Sequence, residues 1–133
     1  MKKKGYSCFV IDGADRARAL EIIKPSYSKV IAHHCTFIFG DREDNDPPVS
    51  TFDIELLSVV DSGDGIQAVL VSVDDSITAP DGRTFHITWS LDPTKKKPKD
   101  SNMLIKQAPK LGAITPIDPK IIVRGVYQFI PFG

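Results

Sequence analysis

The sequence is poor in residues that staple or anchor a chain. Its 133 residues include two cysteines, Cys8 and Cys35, and one tryptophan, Trp89. Two cysteines are too few for a disulfide framework or a thiolate zinc site. Both lie in apolar runs, where a thiol behaves as a small buried hydrophobe. No apolar stretch approaches the roughly 18 residues that cross a membrane. The basic start, Met1 to Lys4, runs into apolar Gly5 to Ile11, but Asp12 and Asp15 interrupt any signal-peptide core, so a cytoplasmic protein is expected (the host cytoplasm, were the chain viral). Excess charge is also missing: 17 basic residues balance 17 acidic ones. That balance argues against duplex DNA held by a broad cationic surface, but allows a small anionic ligand in a local pocket. The length suits a single domain over 1–133, able to bury its own core.

Short β-branched and aromatic runs dominate what is present. Tyr6 to Ile11 reads as a strand, ended by Asp12-Gly13. Asp12 or Asp15 caps a helix carrying Ala17, Ala19, Leu20, Ile22 and Ile23, stopped at Lys24-Pro25. Lys29 to Phe39 reads as a second strand closed by Gly40, and Asp41 to Pro48 as a polar loop. Thr51 to Val60 and Ile66 to Val73 flank Asp61-Ser62-Gly63-Asp64-Gly65, a hairpin with a longish turn. Arg83 to Leu91 is a strand entered from a turn at Pro80-Asp81-Gly82. Asp92 to Lys99, rich in lysine and proline, reads as a mobile loop. Ser101 to Gln107 forms a short helix capped by Asp100 or Ser101. Pro119 to Ile130 is a last strand, interrupted by Gly125. About six strands with one or two helices point to an α+β fold with antiparallel sheet.

One short echo carries chemistry. His34-Cys35-Thr36 and His86-Ile87-Thr88 repeat His-x-Thr on two strands. Alternate strand residues share a face, so His34 sides with Thr36 and His86 with Thr88. Behind the second pair, Phe85, Ile87, Trp89 and Leu91 form a wholly apolar face, and Trp89 belongs to the core. Cys35, Phe37 and Phe39 oppose His34 and Thr36. His33 falls on that opposite face and reads as structural. Were the two strands neighbours, two imidazoles and two hydroxyls would converge. Histidine titrates near neutrality, so one ring can act as base while its twin acts as acid. Threonine hydroxyls can hold phosphate oxygens where charge accumulates. Spacing alone also fits an ordinary solvated strand face. Two histidines without a carboxylate or thiolate at ligand spacing make a poor metal set, so neither metal nor cofactor is expected.

The sequence resembles the 2H phosphoesterase superfamily, whose paired H-x-[ST]-hydrophobic motifs match His34 to Phe37 and His86 to Trp89. It is most similar to the cyclic phosphodiesterase domain of plant-type tRNA ligases and its small bacterial and phage relatives. Stretches 30–40 (VIAHHCTFIFG), 85–93 (FHITWSLDP), 100–102 (DSN) and 117–125 (IDPKIIVRG) carry the likeness. The resemblance implies a bilobal, pseudo-symmetric fold of antiparallel sheets with the histidines facing each other across a cleft. It implies metal-independent hydrolysis of a 2′,3′-cyclic phosphate on a nucleotide or an RNA 3′ end. His34 and His86 carry over as catalytic residues, and Thr36 and Thr88 as phosphate ligands. The chain has no G-x-x-x-x-G-K-[ST] loop, so a tRNA ligase's kinase partner is not within it and a standalone enzyme is expected.

Other candidates stand on weaker ground. Ser101 and Asn102 are candidate substrate-binding residues at a helix start, where unpaired backbone N–H groups favour an anion. Tyr6 is a candidate for stacking on a base. Lys95, Lys96, Lys97 and Lys99 form a solvated loop or a phosphate-contacting flap. Arg83 and Arg124 are possible further anion ligands. Two other functional readings remain open: destruction of cyclic nucleotide immune signals by a phage enzyme, and a non-catalytic module that binds nucleotide or RNA.

Overall fold

Apolar residues recur at every second position in stretches 35–39 and 85–89, while 66–73 is buried on both faces along nearly its whole length. The computed structural model describes the backbone of residues 2–3, 5–39, 42–43, 51–79, 82–111 and 114–131, and the side chains of 7–36, 51–79, 82–107, 114–118 and 120–128. The elements are β1 (Lys2–Lys3), β2 (Gly5–Ile11), α1 (Gly13–Ile22), β3 (Lys29–Val30), β4 (His34–Phe39), β5 (Arg42–Glu43), β6 (Thr51–Asp61), β7 (Ile66–Val73), β8 (His86–Leu91), α2 (Asp100–Leu111) and β9 (Ile114–Pro131). Six strands form a closed antiparallel ring in the order β8, β4, β2, β9, β6, β7 and back to β8. Strand β3 extends β4's side of β8, and β1 pairs separately with β5.

The antiparallel α+β expectation holds, but the strands close into one ring instead of dividing into two lobes. Two features close it. Ile66 to Leu70 on β7 pair with β8, and β9 is long enough to pair with β6 through 114–126 and with β2 through 125–131. Gly125 therefore does not interrupt the last strand. A Cβ there would lie 2.9 Å from Phe9 Cβ and 2.5 Å from Ile54 Cδ1, so glycine is what lets the neighbouring strands' side chains close over β9.

The expected strand from Lys29 to Phe39 is broken at residues 31–33. Val30 faces Ser90 and Cys35 faces Ile87, so five steps on one side match three on the other. Ala32 takes a positive φ of 41° to absorb the difference, a conformation that costs a non-glycine residue on the order of 1–3 kcal/mol. Arg16 of α1 offsets it, donating from Nε to the Ala32 carbonyl (2.8 Å) and from Nη2 to the Ile31 carbonyl (3.2 Å). Part of the expected polar loop, Arg42–Glu43, is strand; Gly40, Asp41 and residues 44–48 lie outside the described residues, as do Pro80 and Asp81. The lysine-rich segment is built of tight turns: the Asp92 carbonyl accepts from Lys95 and Lys96 N–H, and its carboxylate accepts from Thr94.

Two apolar clusters lie on opposite sides of the sheet. The larger joins Phe9, Cys35, Ile54, Val69, Val71, Ile87, Trp89 and Val123 with Ala19 and Ile23 from the α1 region. Trp89 is fully buried and satisfies its indole N–H on the Ile23 carbonyl at 3.0 Å, as a buried tryptophan must. Helix α1 starts at Asp12, whose carboxylate accepts the Asp15 N–H at 3.2 Å, satisfying one orphan donor. The smaller cluster packs Leu104 of α2 with Val60, Ile66, Ala68 and Leu91. Helix α2 thus lies on the outer face of the ring, across β7. Among the described residues no helix is long and apolar enough to cross a membrane.

Candidate active site

Cys35 on β4 stands opposite Ile87 on β8 in antiparallel register, both at 0% exposure on the inner face. Their chain neighbours therefore project outward, with His34 beside Thr88 and Thr36 beside His86. On the far side of β8, Ala68 pairs with Thr88 and Leu70 with His86. Ala68 is covered by α2 through Leu104. That contact brings the first turn of α2 over the two His-x-Thr motifs. His34, Thr36, His86, Thr88, Ser101 and Asn102 all border one cavity of about 320 Å³, together with Ile31, Pro98 and Lys99.

The hydrogen bonds of His86 fix its ring. Nδ1 lies 3.0 Å from the Thr84 carbonyl and Nε2 lies 3.1 Å from Ser101 Oγ. A carbonyl only accepts, so Nδ1 carries the hydrogen and Nε2 is the titrating nitrogen. Thr88 Oγ1 donates to Ser101 Oγ at 2.9 Å, and the Pro98 carbonyl lies 2.9 Å from the same oxygen. The Ser101 hydroxyl thus serves two states. It donates to a neutral Nε2, or turns to Pro98 and accepts from Nε2–H once the ring is charged. Ser101 is 2% exposed. It borders the cavity, but its hydroxyl is engaged with His86 and Thr88.

His34 meets a second imidazole. Its Nδ1 lies 3.0 Å from Nδ1 of His33, with the rings edge to face at 5.2 Å. Burial, then the charges of His33 and His86, push His34 down to about 4. His86 is also lowered, by burial first and by the Arg83 guanidinium, while its bond to the Thr84 carbonyl works the other way. His33 was expected to point away. It precedes β4 and follows the positive-φ Ala32, so strand alternation does not reach it. The adjacent pair His33-His34 was the signal available in the sequence.

Several other candidates fall elsewhere. The N–H groups of Asp100, Ser101 and Asn102 donate to the carbonyls of Lys97, Pro98 and Lys99, so these three offer no open helix-start cradle for an anion. Asn102 lines the cavity and ties its amide to the Lys99 carbonyl at 3.2 Å. Of the four lysines in the loop, Lys99 borders the cavity, while Lys96 pairs with Asp64 at 3.5 Å. Arg124 pairs with Asp15 of α1 at 3.6 Å, away from the cavity. Arg83 acts on His86 through its charge. Tyr6 lies on β2, and its side chain is outside the described residues. Burial pushes the Cys8 thiol up to about 11 and Cys35 to about 12, so neither is a ready nucleophile. Among the described residues no cluster of three or more His, Cys, Asp or Glu could hold a metal ion.

No protein-family description matches the chain, and no curated protein matches it. Among solved structures it is similar to a fungal RNA kinase, with a TM-score of 0.66 over 97% of this chain and 46% of that one, at 14% identity. The likeness is one of fold, and the chain spans less than half the length of the protein it matches.

Proposed function

We propose that the chain is a metal-independent phosphodiesterase of the 2H type that hydrolyses a 2′,3′-cyclic phosphate on a nucleotide or an RNA end. The observation that carries this reading is the Cys35–Ile87 pairing, which sets two His-x-Thr motifs head to tail on one cavity. Two imidazoles and two hydroxyls around one cavity supply a base, an acid and two ligands for non-bridging oxygens. The fold shared with a protein described as an RNA kinase supports RNA as the substrate class. The chain itself has no phosphate-binding loop of the G-x-x-x-x-G-K-[ST] kind, so it is not read as a kinase of that type.

The geometry suggests which imidazole does what. Burial and both neighbouring rings disfavour a proton on His34, which suits it to be the base. Burial lowers His86, but its bond to the Thr84 carbonyl offsets part of this and leaves Nε2 to pass a proton onward, which suits it to be the acid. In this assignment His34 takes a proton from water as the oxygen attacks phosphorus. The bond from phosphorus to one ribose oxygen breaks, and His86 protonates that oxygen. The product is a nucleoside or RNA-terminal monophosphate; His34 releases its proton to solvent and His86 takes one up, which restores the starting pair. Thr36 and Thr88 hold the non-bridging oxygens, Thr88 by rotating its hydroxyl away from Ser101.

Incubation with EDTA and a panel of nucleoside 2′,3′-cyclic phosphates tests the reading. Ring opening to a monophosphate is expected, at a rate indifferent to EDTA. Loss of turnover in EDTA rejects the metal-free mechanism. Tight binding without turnover of any panel member indicates a binding module instead.

A further inference from the structure

A second cavity, of about 430 Å³, adjoins the first and shares His86 and Asn102 with it. That volume lies within the roughly 300–1,000 Å³ of small-molecule sites. Its walls divide by chemistry. Arg83 from the strand side and Lys106 from α2 bring two cations to it. Met103 and Ile105 supply an apolar surface, and Met103 is 56% exposed. Leu104 turns into the core, so core packing does not account for Met103 beside it. Asn102 and Lys106 lie one helical turn apart and share a face of α2. Arg83 and His86 line the same cavity, so the cationic wall adjoins the reacting end.

We infer that this cavity holds the nucleotide unit upstream of the scissile cyclic phosphate, with its phosphodiester on Arg83 and Lys106 and its sugar or base against Met103. The inference rests on the functional reading above and narrows it. The substrate class becomes an oligonucleotide 3′ end carrying a second phosphate, in preference to a cyclic mononucleotide. Two features favour this occupant. A chain leaving the first cavity past His86 enters the second directly, and two cations beside an apolar wall match a phosphate joined to a nucleoside.

Calorimetric titration with two product analogues tests it. One is a nucleoside 2′-monophosphate; the other is a dinucleotide ending in that same monophosphate. The dinucleotide should bind about tenfold more tightly, as expected for a charge-assisted contact, with the advantage shrinking as salt rises. Arg83→Gln/Lys106→Gln should erase the advantage, and Lys95→Gln/Lys97→Gln, altering lysines that border neither cavity, should preserve it. If replacing Arg83 unfolds the chain, Lys106→Glu on the exposed helix face should remove most of the advantage alone. Equal affinity for the two analogues overturns the inference, as does an advantage lost equally in the Lys95/Lys97 variant. Turnover of a dinucleotide ending in a 2′,3′-cyclic phosphate is followed in parallel. Its absence would count against the catalytic reading, while the affinity ratio still decides the second site.

Discussion

Cys35 and Ile87 face each other across two antiparallel strands, and neither touches solvent. Their pairing lays one His-x-Thr against the other in reverse, so each histidine neighbours the other strand's threonine. A slip by one residue would turn one motif into the barrel interior. The proposed chemistry therefore depends on the register of one cross-strand pair.

Removing either imidazole should abolish most turnover and spare the fold. His34→Ala and His86→Ala are each expected to lower kcat about 10²–10⁴-fold, the usual worth of a proton transfer. Both side chains leave the inner face, so thermal unfolding should shift by only a few degrees. The double variant should be little worse than either single one, because the pair acts as a unit. Activity within about threefold of wild type in either variant would remove that residue from the mechanism.

Ser101 is expected to act through His86 and Thr88. Ser101→Ala should lower kcat about tenfold with little change in KM, because it removes the shared partner of Nε2 and Thr88 Oγ1. It should also move the limb of the pH–rate profile that belongs to His86. Lost packing alone would leave that limb in place, so the profile separates a positioning role from a structural one.

Much of this site was legible in the sequence because strand alternation has a period of two. That period alone put His34 with Thr36, His86 with Thr88, and Trp89 in the core. Pairing register has no such local signal. Nothing in residues 29–39 shows the two extra residues absorbed at Ala32, where the partner of the kinked carbonyl is Arg16 on the preceding helix. The same kink misplaced His33. Gly125 carried a strand-breaking propensity, and the tertiary need for close approach overrode it. Ring closure was equally invisible, because it depends on β2 meeting β9 and β4 meeting β8 across residues far apart in the chain.

The two lowered imidazoles set an acidic working range. Below its ordinary value of 6.5, His34 stays neutral down to about pH 4, and burial lowers His86 as well. A competent pair holds one proton, so kcat/KM should be bell-shaped with its maximum on the acid side of 6.5. The kcat profile should lie at higher pH, since a bound phosphate anion favours the charged ring. A kcat/KM maximum above pH 7 would contradict this charge arrangement.

Stability should follow the same groups. The unfolded chain binds a proton at His34 near 6.5, and the folded chain only near 4. Between those values the unfolded state holds more protons, so stability falls as pH drops from about 6.5 to about 4 and is level with respect to this group above it. Urea unfolding across that window should show the decline, and His34→Ala should flatten it. An unchanged slope in the variant would mean that other groups govern the acid limb.

Gly125→Ala is expected to destabilise the fold by about 1–3 kcal/mol, the usual cost of overpacking. The new methyl would meet Phe9 and Ile54. A thermal shift near zero would show that β2 and β6 can part more easily than their packing implies.

The convergence of both imidazoles on one anion can be measured directly. Nitrogen-15 spectra of the His34 and His86 rings, recorded while a nucleoside 2′-monophosphate is titrated in, report each ring separately. The expected result is that both rings shift along curves with a single dissociation constant, with His86 holding its hydrogen on Nδ1 before the ligand is added. Response of only one ring, or two unrelated constants, would contradict a shared phosphate site.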